Sequence, residues 1–248
     1  MNIPAYLERI SYSGSIVPSA ETLCELHRAH MLAVPFENLD IGLGRKIICD
    51  EESILRKIVE QRRGGFCYEL NGAFAALLRE LGFKVTLLSA RVSRQDGSSG
   101  PEFDHLTLRV DLEEPWLADV GFGDSFLEPL RLKADLEQRQ DRRKFRLVEE
   151  GGSLRMEMAD PEEWKWQYSF TLVARRLGDF ADMCHYHQTS PKSSFTQKQI
   201  CSRATADGRI TVVDKKLIIT RNGAKEESAL DSDQEWREAL KKCFGIVL

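Results

Sequence analysis

Arg62-Arg63-Gly64-Gly65-Phe66-Cys67-Tyr68-Glu69-Leu70-Asn71-Gly72-Ala73-Phe74 sets a cysteine directly behind a glycine pair, at the head of a run whose apolar residues return every three or four positions. Leu70, Phe74, Leu77, Leu78 and Leu81 form one stripe and Gly82 stops it, so a helix is expected to start at Cys67. Cys67 then sits in the first helical turn, where unpaired N–H groups and the positive end of the helix dipole favour a thiolate. Such positions lower a cysteine pKa from about 8.5 toward roughly 3.5 to 7.5. The two glycines let the backbone approach a ligand closely.

Upstream of this stretch, Ser19 to Met31 and Ile54 to Gln61 carry the same three-to-four spacing, and the first part of the chain reads as a small helical bundle. Downstream, from Lys84, the period changes to two. Val85 to Leu88, Leu106 to Val110 and Trp116 to Val120 alternate, with turn signals at Asp96 to Pro101 and Glu113 to Pro115. Further alternation at Phe145 to Val148, Leu154 to Met158 and Trp164 to Leu172 implies an antiparallel sheet or small barrel. Beyond Ser190-Pro191 come short strands at Arg209 to Val213 and Lys216 to Thr220, then a helix from Ser232 with Glu235 placed for a capping box and Gly245 for a stop. The expected fold is α+β in three parts: a helical domain over 1–84, a β-barrel domain over 85–189 and an α/β lid over 190–248. No flexible linker divides them, so the parts are expected to share interfaces.

A nucleophilic thiol benefits from a base. His105 opens a strand whose alternation puts Leu106, Leu108, Val110 and Leu112 on one face and His105, Thr107 and Arg109 on the other. The next strand returns after Glu113-Glu114-Pro115 and brings Asp119 back near His105, in a register the sequence leaves open. Cysteine, imidazole and carboxylate in this order suit attack on an acyl carbonyl, proton shuttling and control of the imidazole tautomer. Val120-Gly121-Phe122-Gly123 follows Asp119 and can present backbone N–H groups and a ring to a flat substrate.

Composition narrows the class of protein. The chain has 248 residues, 42% hydrophobic and 30% charged, with a net charge of -4, which argues against a dedicated nucleic-acid binder. No apolar stretch approaches a membrane span and Met1 to Ser11 lacks a signal-peptide pattern, so a cytoplasmic protein without a membrane partner is expected. Six cysteines without a C-x-x-C pair suit reduced thiols better than disulfides or zinc. Cys24, His27 and His30 point too far apart around a helix to share an ion, and Cys184-His185-Tyr186-His187 is equally weak, so no metal is expected. Arg63, Glu37 and Glu69 read as charges that pair for structural reasons.

The motifs resemble those of the arylamine N-acetyltransferase family. They are Arg63-Gly64-Gly65-Phe66-Cys67-Tyr68-Glu69-Leu70-Asn71, Phe103-Asp104-His105-Leu106 and Asp119-Val120-Gly121-Phe122-Gly123. Tyr6 to Ile10, Val34 to Leu39, Ser190 to Phe195 and Cys201-Ser202-Arg203 extend the likeness over almost the whole chain. The resemblance implies a bacterial-type enzyme, lacking the long insertion of vertebrate members, with a cysteine-protease/transglutaminase-like core. It implies Cys67 as the acetyl-accepting nucleophile, His105 as base and Asp119 as orienting carboxylate. Acetyl-coenzyme A would be the co-substrate in a ping-pong reaction with an arylamine, arylhydrazine or arylhydroxylamine. Phe36, Phe103 and Phe122 would line the acceptor pocket. The competing readings are a cysteine hydrolase or transglutaminase-like enzyme on the same triad, with Gln61 as an oxyanion-hole donor, and a catalytically dead binding module.

Overall fold

The computed structural model describes residues 1–159 and 162–248. Its first part comprises α1 (Ile3–Arg9), α2 (Ala20–Ala33), a two-residue strand β1 (Phe36–Glu37), α3 (Leu39–Gly42), α4 (Glu51–Leu55), a π-helical turn (Arg56–Glu60) and α5 (Cys67–Glu80). Local chemistry sets the starts. Ser19 Oγ accepts the Thr22 N–H at 3.1 Å at the head of α2, and Asp50 Oδ1 accepts the Ser53 N–H at 2.8 Å at the head of α4. Phe66, preceding α5, has no acceptor in its side chain, and Glu69 reaches back instead to take the Phe66 N–H at 3.1 Å.

α5 is the central helix. Its apolar stripe is buried as expected, but so is every other residue from Cys67 to Leu78, including Tyr68, Glu69 and Asn71. The other helices cover one side of it and the sheet described next covers the other, against Leu87, Leu106, Leu108 and Val110. Polar groups held inside so covered a helix must find partners in the protein, and around Cys67 they do.

The middle part is one antiparallel sheet of eight strands: β2 (Lys84–Val92), β3 (His105–Asp111), β4 (Pro115–Ala118), β5 (Leu130–Arg131), β6 (Gln138–Gln140), β7 (Arg143–Glu150), β8 (Ser153–Ala159) and β9 (Trp164–Arg175). Their order is β5-β4-β3-β2-β9-β8-β7-β6. Irregularities at Leu88/Ala90 and Met156/Glu157 bend the sheet around Leu117, Phe126, Phe145, Leu147, Met156 and Tyr168. The barrel-like curl closes through side chains. The Gln138 amide exchanges hydrogen bonds with both backbone groups of Arg131, at 2.7 and 3.0 Å, and the Gln140 amide holds Leu127 and Glu128 in the same way.

After β9 comes α6 (Ala181–Thr189), and the last part follows with α7 (Ser194–Gln197), β10 (Ile200–Thr205), β11 (Gly208–Val213), β12 (Lys216–Arg221), β13 (Ala224–Ala229) and α8 (Asp233–Phe244). Ser232 Oγ accepts the Glu235 N–H at 3.1 Å, and Gly245 ends α8 with φ +71°. The four strands continue into β1, giving the order β1-β10-β11-β12-β13 with Phe36 opposite Ser202 and Glu37 opposite Cys201. A strand from the helical part therefore completes the C-terminal sheet. The architecture is α+β: helices first, a barrel-like antiparallel sheet next and an α/β part last. Among the described residues, no helix is long and apolar enough to cross a membrane.

Candidate active site

Gly64 and Gly65 bring the head of α5 against the chain before β1. A Cβ on Gly64 would lie 2.0 Å from the Pro35 carbonyl oxygen, so only glycine fits there. From the other side Gly121 packs directly on the helix, where a Cβ would come within 2.8 Å of Cys67 Cα and 2.7 Å of Asn71 Nδ2. The sulfur is thereby enclosed, and Cys67 is 4% exposed. Burial pushes its thiol well above the ordinary cysteine value; the Leu106 N–H opposes this, and Asp119 and Asp104 add to it. The helix terminus alone was expected to favour a thiolate, but here desolvation outweighs it.

β3 and β4 pair with Leu108 opposite Ala118, so Asp119, just past β4, continues toward Thr107 and shares a face with His105. His105 Nε2 lies 2.6 Å from Asp119 Oδ2, with the two residues 2% and 0% exposed. That leaves Nδ1 as the imidazole nitrogen not engaged by the carboxylate. The His105 face of β3 was expected to be the polar one, yet Thr107 and His105 are as buried as Leu106 and Leu108, because the barrel interior covers them.

Asn71, one turn after Cys67, ties the helix to both strand ends. Its amide nitrogen donates to the Leu106 carbonyl at 2.6 Å and to Asp119 Oδ1 at 2.9 Å, and its oxygen accepts the Val120 N–H at 2.9 Å. Asp119 Oδ1 also accepts the Gly121 N–H at 3.0 Å. Burial works against ionisation of Asp119, but His105, Asn71 and this N–H together hold its carboxyl below the usual range. His27 completes the setting from α2. Its Nε2 accepts the Asp119 N–H at 3.1 Å and its Nδ1 donates to the Leu127 carbonyl at 2.7 Å, which fixes a neutral tautomer. Burial lowers its pKa to about 4. His27 and Asn71 carry no signal of these roles in local periodicity.

At the head of α5 lies a cluster of buried ionisable groups, in which burial raises the Glu69 carboxyl to about 7 against the pull of Lys57. Arg63 reaches Glu37 Oε1 at 2.8 Å and Asp40 Oδ1 at 3.1 Å, while Lys57 Nζ lies 2.8 Å from both Asp40 Oδ2 and Glu69 Oε1. Burial opposes the Lys57 charge, but Glu69, Glu37 and Asp40 outweigh it and raise its pKa. Asp40 and Lys57 join the Arg63, Glu37 and Glu69 set read from the sequence.

The aromatic candidates surround these groups unevenly. Phe122 meets the His105 ring edge-on at 5.2 Å and lies tilted against the Tyr168 ring at 5.0 Å. Phe36 is half-buried with its ring 6.1 Å from Phe195, and Phe103 meets Phe180 edge-on at 5.2 Å. Gly123 takes φ +92°, a conformation open to glycine, and its carbonyl accepts from Arg209 at 2.8 Å. Gln61, the oxyanion-hole candidate of a hydrolase, is exposed. His30 lies 3.1 Å from the Tyr6 hydroxyl, and His187 faces Asp104 and Ser193.

Residues 19–248 match a family model described as N-acetyltransferase. An arylamine N-acetyltransferase / N-hydroxyarylamine O-acetyltransferase of Salmonella typhimurium is 39% identical over 246 residues, covering 98% of this chain and 88% of the relative. The chain belongs to the arylamine N-acetyltransferase family. The Escherichia coli arylamine N-acetyltransferase is 35% identical, covering 97% of this chain and 87% of that one. A solved structure of the Mycobacterium marinum arylamine N-acetyltransferase in complex with CoA matches with a TM-score of 0.92 at 32% identity, covering 99% of this chain and 93% of that chain.

Proposed function

We propose that this chain moves an acetyl group from acetyl-coenzyme A to the nitrogen of an arylamine or arylhydrazine, and to the oxygen of an arylhydroxylamine, through an acetyl-Cys67 thioester. The observation that carries this reading is the 2.6 Å contact of His105 with a fully buried Asp119, one residue before the Leu106 N–H that faces the Cys67 sulfur. A buried thiol stays protonated until a base removes its proton, and His105, steadied by Asp119, is that base. The Cys67 sulfur attacks the thioester carbonyl; the coenzyme A sulfur leaves and takes the proton from His105. The amine then attacks acetyl-Cys67, gives its proton to His105 and releases the cysteine sulfur, which is reprotonated.

Phe36, Phe103 and Phe122 line the acceptor site in this reading, with Gly121 letting the loop close on Cys67 and Gly123 leaving open space for a flat ring. The work is divided among residues 1–84, which bring the nucleophile, 85–189, which bring the base and its carboxylate, and 190–248, which cover the site. The acceptors are foreign aromatic amines met in a reducing cytoplasm, a setting that suits six free thiols. No step calls for a metal, a membrane or nucleic acid.

Intact-mass measurement after mixing with acetyl-coenzyme A tests the proposal. The protein should gain one acetyl group, about 42 Da, and the Cys67→Ala variant none. Turnover of peptide or glutamine donors without coenzyme A, and no mass gain, would favour the hydrolase instead.

A further inference from the structure

Phe103 adopts φ +66°, a strained left-handed backbone that a bulky aromatic residue rarely takes. The strained residue stands two positions before His105, and its surroundings hold it on several sides. Its N–H donates to Ser89 Oγ at 2.7 Å, and its carbonyl accepts the Tyr68 hydroxyl at 2.7 Å. The same hydroxyl lies 3.3 Å from the Asp104 carbonyl, and the Asp104 carboxylate lies 3.2 Å from His187 Nε2. The ring is held between Phe180 and the Arg175 guanidinium, 5.1 Å above it.

Tyr68 is fully buried and follows Cys67 directly on α5. Asn71 lies three residues further, on the same helical face, and holds the Leu106 carbonyl. The nucleophile's helix thus grips the strand carrying His105 at two points, one on each side of the histidine. We infer that Tyr68 is a positioning residue: its phenol, with the Ser89 hydroxyl, holds Phe103 in its left-handed turn and so sets where His105 stands relative to Cys67. This rests on the triad reading above. Released, residue 103 relaxes toward an extended backbone and carries the start of β3 with it, and a shift near 1 Å at a reacting pair costs on the order of a hundredfold in rate.

The test is a cycle of Tyr68→Phe and Phe103→Gly, read by the rate constant and KM for acetylation of Cys67 by acetyl-coenzyme A and by the rate of Cys67 alkylation with iodoacetamide. Tyr68→Phe keeps the ring and removes one oxygen. It should lower the acetylation rate constant by roughly tenfold or more with KM unchanged. Glycine takes φ +66° without strain, so in the Phe103→Gly background the same substitution should cost less than about threefold. A merely structural phenol would give the same loss in both backgrounds, and that result overturns the proposal, as does a wild-type rate in Tyr68→Phe. Should Tyr68→Phe not fold, Ser89→Ala acts on the other end of the Phe103 residue and must show the same rescue by glycine. Failure of the triad reading is distinct: the unsubstituted protein would then not acetylate Cys67, while the alkylation rates would still compare the four proteins.

Discussion

On the Glu69 side of the first turn of α5, Lys57 and Arg63 face Glu37, Asp40 and Glu69, charge against charge. On the Asn71 side, one carboxylate, Asp119, is held by an imidazole, an amide and a backbone N–H. Both sets are buried. The first sets two cations against three carboxylates, with burial raising the Glu69 carboxyl to about 7 against the pull of Lys57, and it fastens β1 and α3 to the head of the helix. The second leaves the carboxylate one partner that can change its protonation, His105. A buried ionic cluster stabilises a shape, whereas a lone buried charge among neutral donors sustains a proton transfer.

Asp119→Asn tests the second set most severely. It keeps the shape but reverses which His105 tautomer is favoured, and Cys67 acetylation should slow by roughly a thousandfold to ten-thousandfold, measured by quenched-flow mass spectrometry, with little loss of stability. A rate within a factor of three of the unsubstituted protein would remove the distinction between the two sets.

Lys57→Met breaks the first set. Glu69 and Asp40 lose a shared partner and the fold should lose about 3–5 kcal/mol in urea unfolding, while the acetylation rate of the protein that remains folded changes by less than about tenfold. A larger fall in rate than in stability would mean that the ionic cluster takes part in the chemistry.

The finest test lies in the support beneath Asp119. His27 is neutral in the fold with a pKa of about 4, below the value of about 6.5 for an exposed histidine. Its depressed pKa contributes stability that is present above about pH 6.5 and lost as pH falls toward 4, amounting to roughly 3 kcal/mol. In His27→Leu the unfolding free energy should fall less steeply across that window, and an unchanged slope would show that His27 is already charged in the fold.

Much of this was legible in the sequence. The glycine pair, the apolar stripe behind Cys67 and the alternation through His105 and Asp119 are local patterns, and local patterns report helices, strands and hairpins faithfully. The register was not, because Leu108 meets Ala118 only once turn geometry and the core on both faces are known. Nor was the state of the thiol, since burial of Cys67 is a property of the assembled parts rather than of its helix. Asn71 looked like a position in a motif, and its bonds to Leu106, Asp119 and Val120 arise from packing. His27 acts across 92 residues and β1 across a still longer stretch, distances at which periodicity carries no information.

The pairing of Phe36-Glu37 with Cys201-Ser202 has a consequence for how the molecule is made. Asn38, beside it, bonds to the Phe195 and Lys198 carbonyls and the Ile200 N–H. During synthesis the amino-terminal helices leave the ribosome long before these partners exist, and closing so long a loop is slow. The nascent chain therefore carries Phe36 to Asn38 without these partners until residues 195–202 have been translated, and the seam between the helical part and the C-terminal sheet forms late.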